Sequence, residues 1–327
     1  MIRWGIMATG TIARKFAETI NKMNGEAVLV AVASRNTENA KAFAKEYNIP
    51  KYYDTYEDLC RDTEVDAIYI STPNNMHFEN SLMCLNHGKN VLCEKPFTTN
   101  KNDAVTLYNT AKEKKLFIME GFWIKHTPLL KKMEEMIAED VIGDIRCLRA
   151  DYGFTISDEN RKRRKFNSEL GGGALLDIGV YNIGFAKMVM KDSPIKINSN
   201  EVINEYGTDE FSTIMLEYPN KKTAVLTTSI GMKIAKEGAI YGSKGSIFLP
   251  DFQNAEKMQI NIYDKEPYTI EMPFEINGFE YQIREVDRCI ELGMNTSDVL
   301  TMNDSLDVLE IMDSVRSLWN MRFSFEK

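Results

Sequence analysis

The first thirteen residues, MIRWGIMATGTIA, constrain the fold of this chain more than any other stretch. A strand-like apolar run from Ile2 to Met7 is followed by the small segment Ala8-Thr9-Gly10 and by a helical pattern that begins at Thr11 and Ile12. A turn of small residues lets the backbone approach a pyrophosphate, and the N–H groups and positive dipole end of the next helix favour its negative charge. The segment from Ala8 to Ile12 is therefore predicted to bind the phosphates of a dinucleotide.

The glycine pattern of this turn is imperfect. The fingerprint G-x-G-x-x-G/A occurs here as Ala8-x-Gly10-x-x-Ala13, so alanine stands at the first glycine position. By spacing alone, an ordinary strand-turn-helix that contains Gly10 remains the alternative.

The end of the second predicted strand bears on the choice of nucleotide. Ala27 to Ala33 is a continuous apolar run, typical of a parallel strand covered on both faces, and Ser34-Arg35-Asn36 follows it. NAD-binding proteins usually carry a carboxylate here to hold the ribose 2′-hydroxyl. Arg35 can instead pair with a 2′-phosphate through two parallel hydrogen bonds, so Ser34, Arg35 and Asn36 favour NADP over NAD. The alternative is a solvated arginine at a strand end.

Strands and helices then alternate at short spacing, which predicts a right-handed parallel sheet. Polar residues follow the carboxyl ends of its strands, where a cofactor binds in such folds. The positions predicted there to bind the cofactor are Ser71, Thr72, Pro73, Asn74, His77, Glu94 and Lys95. His77 is a candidate acid or base, but a histidine at the start of a helix more often caps it or holds a loop. The charge of Lys95 can lower the pKa of a neighbouring hydroxyl, and the Lys95-Pro96 bond is a candidate cis peptide.

A length of 327 residues favours two domains. Beyond about residue 120, longer strands joined by tight turns, such as the one at Pro219-Asn220, replace the short alternation. We therefore predict an α/β protein. Residues 1–120 form a Rossmann-type parallel sheet domain, and residues 121–327 form an α+β domain with a large, mostly antiparallel open sheet.

Composition excludes several classes of partner. The formal net charge of −8 argues against a nucleic-acid or anionic-membrane surface. The five cysteines contain no C-x-x-C pair, which favours reduced thiols and a cytoplasmic location. No targeting peptide and no run approaching a membrane-spanning helix are expected, and the cysteines, His87 and His126 show no metal-ligand spacing.

Three motifs in order, WGIMATGTIA, Ser71-Thr72-Pro73 with His77, and Glu94-Lys95-Pro96, resemble the glucose–fructose oxidoreductase/inositol dehydrogenase (Gfo/Idh/MocA) family. The resemblance continues through ELGGGALLDIGVY, residues 169–181, and IYGSKG, residues 240–245. Ser34-Arg35, the segment 119–123 and tyrosine at position 181 are most similar to its dimeric dihydrodiol dehydrogenase and NADP-dependent xylose dehydrogenase branch.

This resemblance implies an oxidoreductase that transfers a hydride between a nicotinamide and a sugar, polyol or dihydrodiol. It assigns proton transfer to Tyr181, electrostatic support to Lys95 and orientation of a substrate hydroxyl to Asp177. The i, i+4 spacing of Asp177 and Tyr181 agrees, because it places both on one helix face. The resemblance also implies a homodimer or homotetramer formed through the C-terminal sheet, and a last helix that packs near the domain junction.

Other functions stay open at this point. Trp123 and Phe154 are candidate walls of a substrate pocket, although large aromatic side chains are more often core. The basic run at residues 161–165 is either a solvated loop or an anion-binding lid. A nucleotide-sensing regulator of the same fold, without turnover, is the main alternative to an enzyme.

Overall fold

The computed structural model describes residues 1–157, 159 and 164–326. The chain divides into two compact units. The first unit comprises Met1–Trp123 and Glu275–Met302, and the second comprises Ile124–Phe274 and Asn303–Lys327. The basic residues at 161–163 lie outside the described residues, so the prediction for that run is described only at Arg164 and Lys165.

The first unit is built on a six-stranded parallel sheet with the strand order β3-β2-β1-β4-β5-β6. Its strands are β1 Arg3–Met7, β2 Val28–Ala33, β3 Lys51–Tyr53, β4 Ala67–Ile70, β5 Asn90–Glu94 and β6 Ile118–Gly121. Its helices are α1 Thr11–Lys22, α2 Thr37–Tyr47, α3 Tyr56–Arg61, α4 His77–Asn86, α5 Lys101–Lys114 and α8 Phe279–Glu291. The strand order reverses at β1 and β4, and the carboxyl ends of these two strands mark the ligand-binding edge of such a sheet.

Side-chain caps fix where three of these helices begin. The side-chain oxygens of Asn36, Thr55 and Asn100 each accept a hydrogen bond from the backbone N–H three residues ahead. Such a cap stabilises a helix by typically about 1 kcal/mol. Since asparagine and threonine at these positions are visible in the sequence, the helix starts could be predicted closely.

The segment Glu275–Met302 groups with the first unit, whereas a division at residue 120 placed it in the C-terminal domain. Its helix α8 packs against α1, and the Thr19 hydroxyl donates to Asn277 Oδ1 at 3.0 Å. The buried carboxylate of Glu280 accepts backbone N–H bonds from residues 276, 277 and 278 at 2.8–3.1 Å. The chain therefore returns to the first unit after the second sheet is complete.

The second unit is built on an eight-stranded sheet with the order β14-β13-β12-β11-β7-β10-β9-β8. Its strands are β7 Ile145–Gly153, β8 Lys196–Ile203, β9 Asp209–Glu217, β10 Thr223–Ser229, β11 Gly238–Gly242, β12 Gly245–Leu249, β13 Lys257–Ile262 and β14 Tyr268–Glu271. Its helices are α6 Pro128–Ala138, α7 Val180–Met190 and α9 Met302–Leu318. Among these strands β7 and β10 pair in parallel and the other neighbours are antiparallel, which confirms the expected fold class.

One face of this sheet is covered by α7. The buried amide of Asn182 donates to the carbonyl oxygens of Ala150 and Thr227 and to the hydroxyl of Thr228 at 2.9–3.3 Å. The segment Ser168–Met190 is apolar enough to cross a membrane by length and composition, contrary to the sequence expectation, but 94% of its most apolar window is buried in the protein. Its apolar character follows from its place in the core, since a helix buried on all sides is hydrophobic all round.

Candidate active site

The turn after β1 has the backbone of a glycine turn. Ala8 has a φ of 80°, in the left-handed region that favours glycine, and its N–H donates to the carbonyl oxygen of Ala33 at 2.9 Å. The alanine that weakened the sequence fingerprint therefore adopts the conformation for which glycine is usually chosen.

The space in front of Gly10 is open. A Cβ built on Gly10 meets no atom within 4 Å, and no side chain caps the N-terminus of α1 at this residue. The first turn of α1 contains no acidic side chain. An uncapped helix N-terminus beside open space fits a pyrophosphate, whose oxygens accept the N–H bonds and whose charge the helix dipole favours.

Among the three residues that follow β2, Ser34 to Asn36, Arg35 is the cation exposed to solvent. Ser34 is buried, and its N–H donates to the carbonyl oxygen of Tyr53 at 3.2 Å, while the Asn36 side chain caps α2. Arg35 is exposed beside Tyr56. Burial raises the pKa of the Tyr56 hydroxyl, against the lowering effect of the Arg35 charge and hydrogen bond. Arg35 is thus the guanidinium available to a 2′-phosphate at this strand end.

The loop after β4 is held to its neighbours by side chains. The Ser71 hydroxyl donates to the Met7 carbonyl oxygen at 3.0 Å, which joins the ends of β1 and β4. The two ring nitrogens of buried His77 lie 2.8 and 2.9 Å from the carbonyl oxygens of Pro96 and Thr72. This geometry favours a loop-holding role for His77. Pro73 and the buried Asn74 begin the short 3₁₀ turn that leads into α4.

The end of β5 combines a carboxylate, a cation and a cis bond. The Lys95-Pro96 peptide is cis, as the sequence suggested. Glu94 is buried, and Tyr69 donates to its Oε1 at 2.5 Å while the Lys95 backbone N–H donates to Oε2 at 3.3 Å. Burial raises the pKa of Glu94, against the lowering effects of the Lys95 charge and the Tyr69 hydrogen bond. The strand end therefore presents Lys95, which is half-buried, next to an immobilised carboxyl group.

Lys15 is a cation near this strand end that sequence reasoning missed. Its Nζ lies 4.4 Å from the ring centroid of Trp123 and 4.3 Å from that of Phe279, two rings that stack on each other. Burial lowers the pKa of Lys15 to about 8, against the raising effects of Glu94 and Glu280. Trp123 is only 2% exposed in this cluster, which favours the core alternative over a pocket wall.

The second unit carries Asp177 and Tyr181 on one buried element. Leu175–Gly179 forms a single π-helical turn that continues into α7, and such turns are frequent at functional sites. Asp177 and Tyr181 are 5% and 6% exposed. Asp177 and Tyr181 are thus buried in the core rather than exposed at the surface, and their chemistry depends on the side chains that contact them.

Asp177 is held by two cations of the basic run. Lys165 Nζ lies 2.8 Å from its Oδ2, and Arg164 Nη2 lies 3.1 Å from its Oδ1. The described end of the run is therefore more than a solvated loop, because it holds the buried carboxylate of Asp177.

Aromatic rings flank Asp177 and Tyr181. The Tyr152 ring centroid lies 6.2 Å from those of Tyr181 and Phe154, and Lys165 Nζ lies 3.9 Å from the Phe154 centroid. Burial raises the pKa of Tyr152, and the negative charge of Asp177 raises it further. Phe154 is half-buried within this group, which leaves part of its ring available as a pocket wall.

The domain comparisons agree with both units. Residues 2–122 match the domain described as oxidoreductase family, NAD-binding Rossmann fold, and residues 130–248 match the GFO/IDH/MocA C-terminal domain. A trans-1,2-dihydrobenzene-1,2-diol dehydrogenase from Xenopus laevis is 35% identical over 323 residues, which cover 95% of this chain and 96% of that protein. The chain belongs to the Gfo/Idh/MocA family of oxidoreductases. Its first unit is an NAD(P)-binding Rossmann domain.

A further relative and a solved structure cover the chain equally well. The mouse trans-1,2-dihydrobenzene-1,2-diol dehydrogenase is 31% identical and covers 100% of this chain and 99% of its own. Among solved structures, a 3-ketoreductase from Actinomadura kijaniata with NADP and TDP-benzene superposes with a TM-score of 0.86 at 27% identity, covering 97% of both chains. The fold and family membership inferred from the motifs are therefore confirmed.

One possible metal-binding cluster occurs in the described part of the chain. Single ligand atoms of Glu285, Cys289 and Asp298 lie within 4.8 Å of one another. Arg288 bonds to both carboxylates, with its Nη2 2.9 Å from Glu285 Oε1. The Arg288 guanidinium is thus already the ion-pair partner of both carboxylates.

Proposed function

We propose that this protein is an NADP-dependent oxidoreductase that transfers a hydride between the nicotinamide and a hydroxyl or carbonyl carbon of a sugar, polyol or trans-dihydrodiol. The observation that carries the proposal is the pair of Asp177 and Tyr181, a carboxylate and a phenol buried one turn apart on the same element. Full-length similarity to dihydrodiol dehydrogenases supports this substrate class.

Cofactor binding is proposed at the open edge of the first sheet. The first turn of α1, in front of Gly10, would hold the pyrophosphate, and Arg35 would hold the 2′-phosphate. When bound, NADP accepts or supplies a hydride at C4 of its nicotinamide.

The side chains perform the proton chemistry. In the oxidation direction, the phenolate of Tyr181 takes the proton of the substrate hydroxyl as the carbon loses its hydride, and in the reduction direction the phenol returns that proton. The Lys95 ammonium stabilises the negative charge of the phenolate and of the developing alkoxide. Asp177 accepts a hydrogen bond from a substrate hydroxyl and keeps its orientation through Lys165 and Arg164. General acid–base catalysis of this kind contributes typically about 10²–10⁴ in rate.

A turnover assay tests the activity directly. NADP reduction is followed by absorbance with a panel of aldoses, polyols and trans-dihydrodiols, and nicotinamide fluorescence reports binding separately. Turnover on at least one panel member supports the enzyme. Tight nucleotide binding without turnover on any member would favour the regulator instead.

The second unit is proposed to mediate a homodimer or homotetramer in the cytoplasm. Its sheet exposes two large apolar side chains, Met215 and Tyr241, which are 37% and 41% exposed. A second copy of this chain would cover these side chains, as the family resemblance suggests. Light scattering of the purified protein tests this proposal, and a monomer at micromolar concentration would contradict it.

A further inference from the structure

A buried carboxylate caps the helix that carries Asp177 and Tyr181. Asp209, the first residue of β9, is fully buried, and its Oδ2 accepts a hydrogen bond from the Leu175 backbone N–H at 2.7 Å. Leu175 begins the π-helical turn. The carboxylate therefore lies at the N-terminus of this helix, where a negative charge is stabilised by the helix dipole.

The triple-glycine motif before this helix makes the contact possible. Gly173 has a φ of 115°, and a Cβ built on it would lie 2.2 Å from Asp209 Oδ1. Any side chain at this position would displace the carboxylate. The glycine that the family motif contains is thus explained here by the approach of Asp209 to the helix.

We propose that Asp209 is a positioning residue whose protonation state sets the placement of Asp177 and Tyr181. The inference rests on the proposed function, in which those two side chains act on the substrate. It follows from the chain of contacts: Asp209 holds Leu175, and the Asp177 N–H donates to the carbonyl oxygen of Gly173 at 3.1 Å. A change in the cap therefore acts on the turn that contains Asp177.

The surroundings of Asp209 let it change charge near neutral pH. Its Oδ1 has no hydrogen-bond partner within the described residues, which disfavours the ionised form. Burial raises the pKa of Asp209 to about 7, against the lowering effects of backbone hydrogen bonds and of Arg316. Arg316, on α9, is itself paired with Glu326 and Asp313. Above this pKa the cap is anionic, and below it the cap is neutral and weaker.

The test is the pH profile of Asp209→Asn. Asparagine keeps an acceptor for Leu175 but cannot ionise. The kcat of the wild type should rise with pH through an apparent pKa near 7, and we call this rise the limb of the profile. The variant should lack this limb. At pH 8.5 its kcat should be about fivefold lower than that of the wild type, in line with the energy of a charge at a helix terminus. NADP affinity should change by less than about twofold, since the nucleotide is assigned to the first unit. Ser212→Ala is the matched control, because Ser212 is also buried on β9 and its hydroxyl has no partner within the described residues.

Loss of the limb in Asp209→Asn but not in Ser212→Ala supports the proposal. Retention of the wild-type limb in Asp209→Asn, or its loss in both variants, overturns it. A readout independent of turnover is the amide signal of Leu175 in protein labelled with ¹⁵N-leucine. This signal should titrate near pH 7 in wild type and not in Asp209→Asn. If the Leu175 signal does not titrate in the wild type, the proposed role of Asp209 is wrong even where turnover is normal. If the signal titrates as expected in a protein without turnover, only the proposed function is contradicted.

Discussion

Lys165 Nζ lies 2.8 Å from Asp177 Oδ2, so the cation at the end of the basic run is paired with the carboxylate that is proposed to orient the substrate. The Lys165 side chain is 36% exposed and the Asp177 side chain 7%, which makes this an ion pair with one buried partner. Such a pair fixes the buried carboxylate more than it stabilises the fold.

Lys165→Met should therefore weaken substrate recognition more than nucleotide binding. Arg164 still pairs with Asp177, so we expect a loss of about fivefold in kcat/KM, about 1 kcal/mol after allowance for solvent screening. Steady-state kinetics at several substrate concentrations measures the change. Lys196→Met is the control, since Lys196 pairs with Glu217 on the same unit and is largely exposed. Equal losses in the two variants would contradict a specific role for Lys165.

Tyr181→Phe removes the proposed proton-transfer group. We expect kcat to fall by about 10²–10⁴ while NADP binding stays within about twofold. Stopped-flow turnover and fluorescence titration measure the two quantities. Tyr218→Phe is a matched control, because Tyr218 is also a buried tyrosine of the second unit and its hydroxyl has no partner within the described residues. An unchanged kcat in Tyr181→Phe would remove Tyr181 from the mechanism.

Arg35→Ala tests the choice between the two nucleotides. The variant loses the guanidinium proposed for the 2′-phosphate, so NADP affinity should fall by about 10- to 100-fold and NAD affinity should be nearly unchanged. Calorimetric titration with each nucleotide gives both constants. Tighter binding of NAD than of NADP by the wild type would contradict the interpretation of Arg35.

The regular elements were predictable because their signals are local. The apolar run of β2 can be recognised from the sequence alone, and so can the residues whose side chains cap α2 and α3. The edge strands β8 and β14 were not predicted, because none of their residues is buried and neither strand is a continuous apolar run. Both pair with a strand that is adjacent in sequence, so what these strands lack is a buried apolar face rather than a local partner.

The same distinction holds for the site. The i, i+4 spacing of Asp177 and Tyr181 is visible in the sequence, as is the Glu94-Lys95-Pro96 motif. The hydrogen bond between Asp209 and Leu175 joins residues 34 positions apart. The contact between the Lys15 ammonium and the Phe279 ring joins residues that are still further apart in the sequence. Such contacts depend on tertiary packing, for which a single sequence offers no periodic signal.

Lys15→Met should reveal the lowered pKa of this lysine as a pH-dependent stability. The folded value of about 8 lies below the ordinary value of 10.5, so the unfolded chain binds more protons between these pH values. The free energy of unfolding of the wild type, relative to the variant, should therefore rise as pH increases from 8 to 10, by at most about 1.4 kcal/mol per pH unit. Urea denaturation at pH 7.5 and 10 measures this. Lys22→Met, at an exposed site on α1, is the control for the loss of a lysine from this helix, and an equal pH dependence in the two variants would contradict the prediction.

Ala8→Gly tests the strain in the turn after β1. An alanine at a φ of 80° costs roughly 1–2 kcal/mol, and glycine relieves this but adds about 0.4–1 kcal/mol of chain entropy to the unfolded state. The variant should therefore be more stable by roughly 0.5 kcal/mol, with NADP affinity within about twofold of wild type. Ala13→Gly is the opposing control, because Ala13 lies inside α1 and the same change there should destabilise by about 1 kcal/mol. The free energies of unfolding are compared through the denaturant midpoints of the wild type and the two variants. Destabilisation of similar size in both variants would show that Ala8 carries no strain.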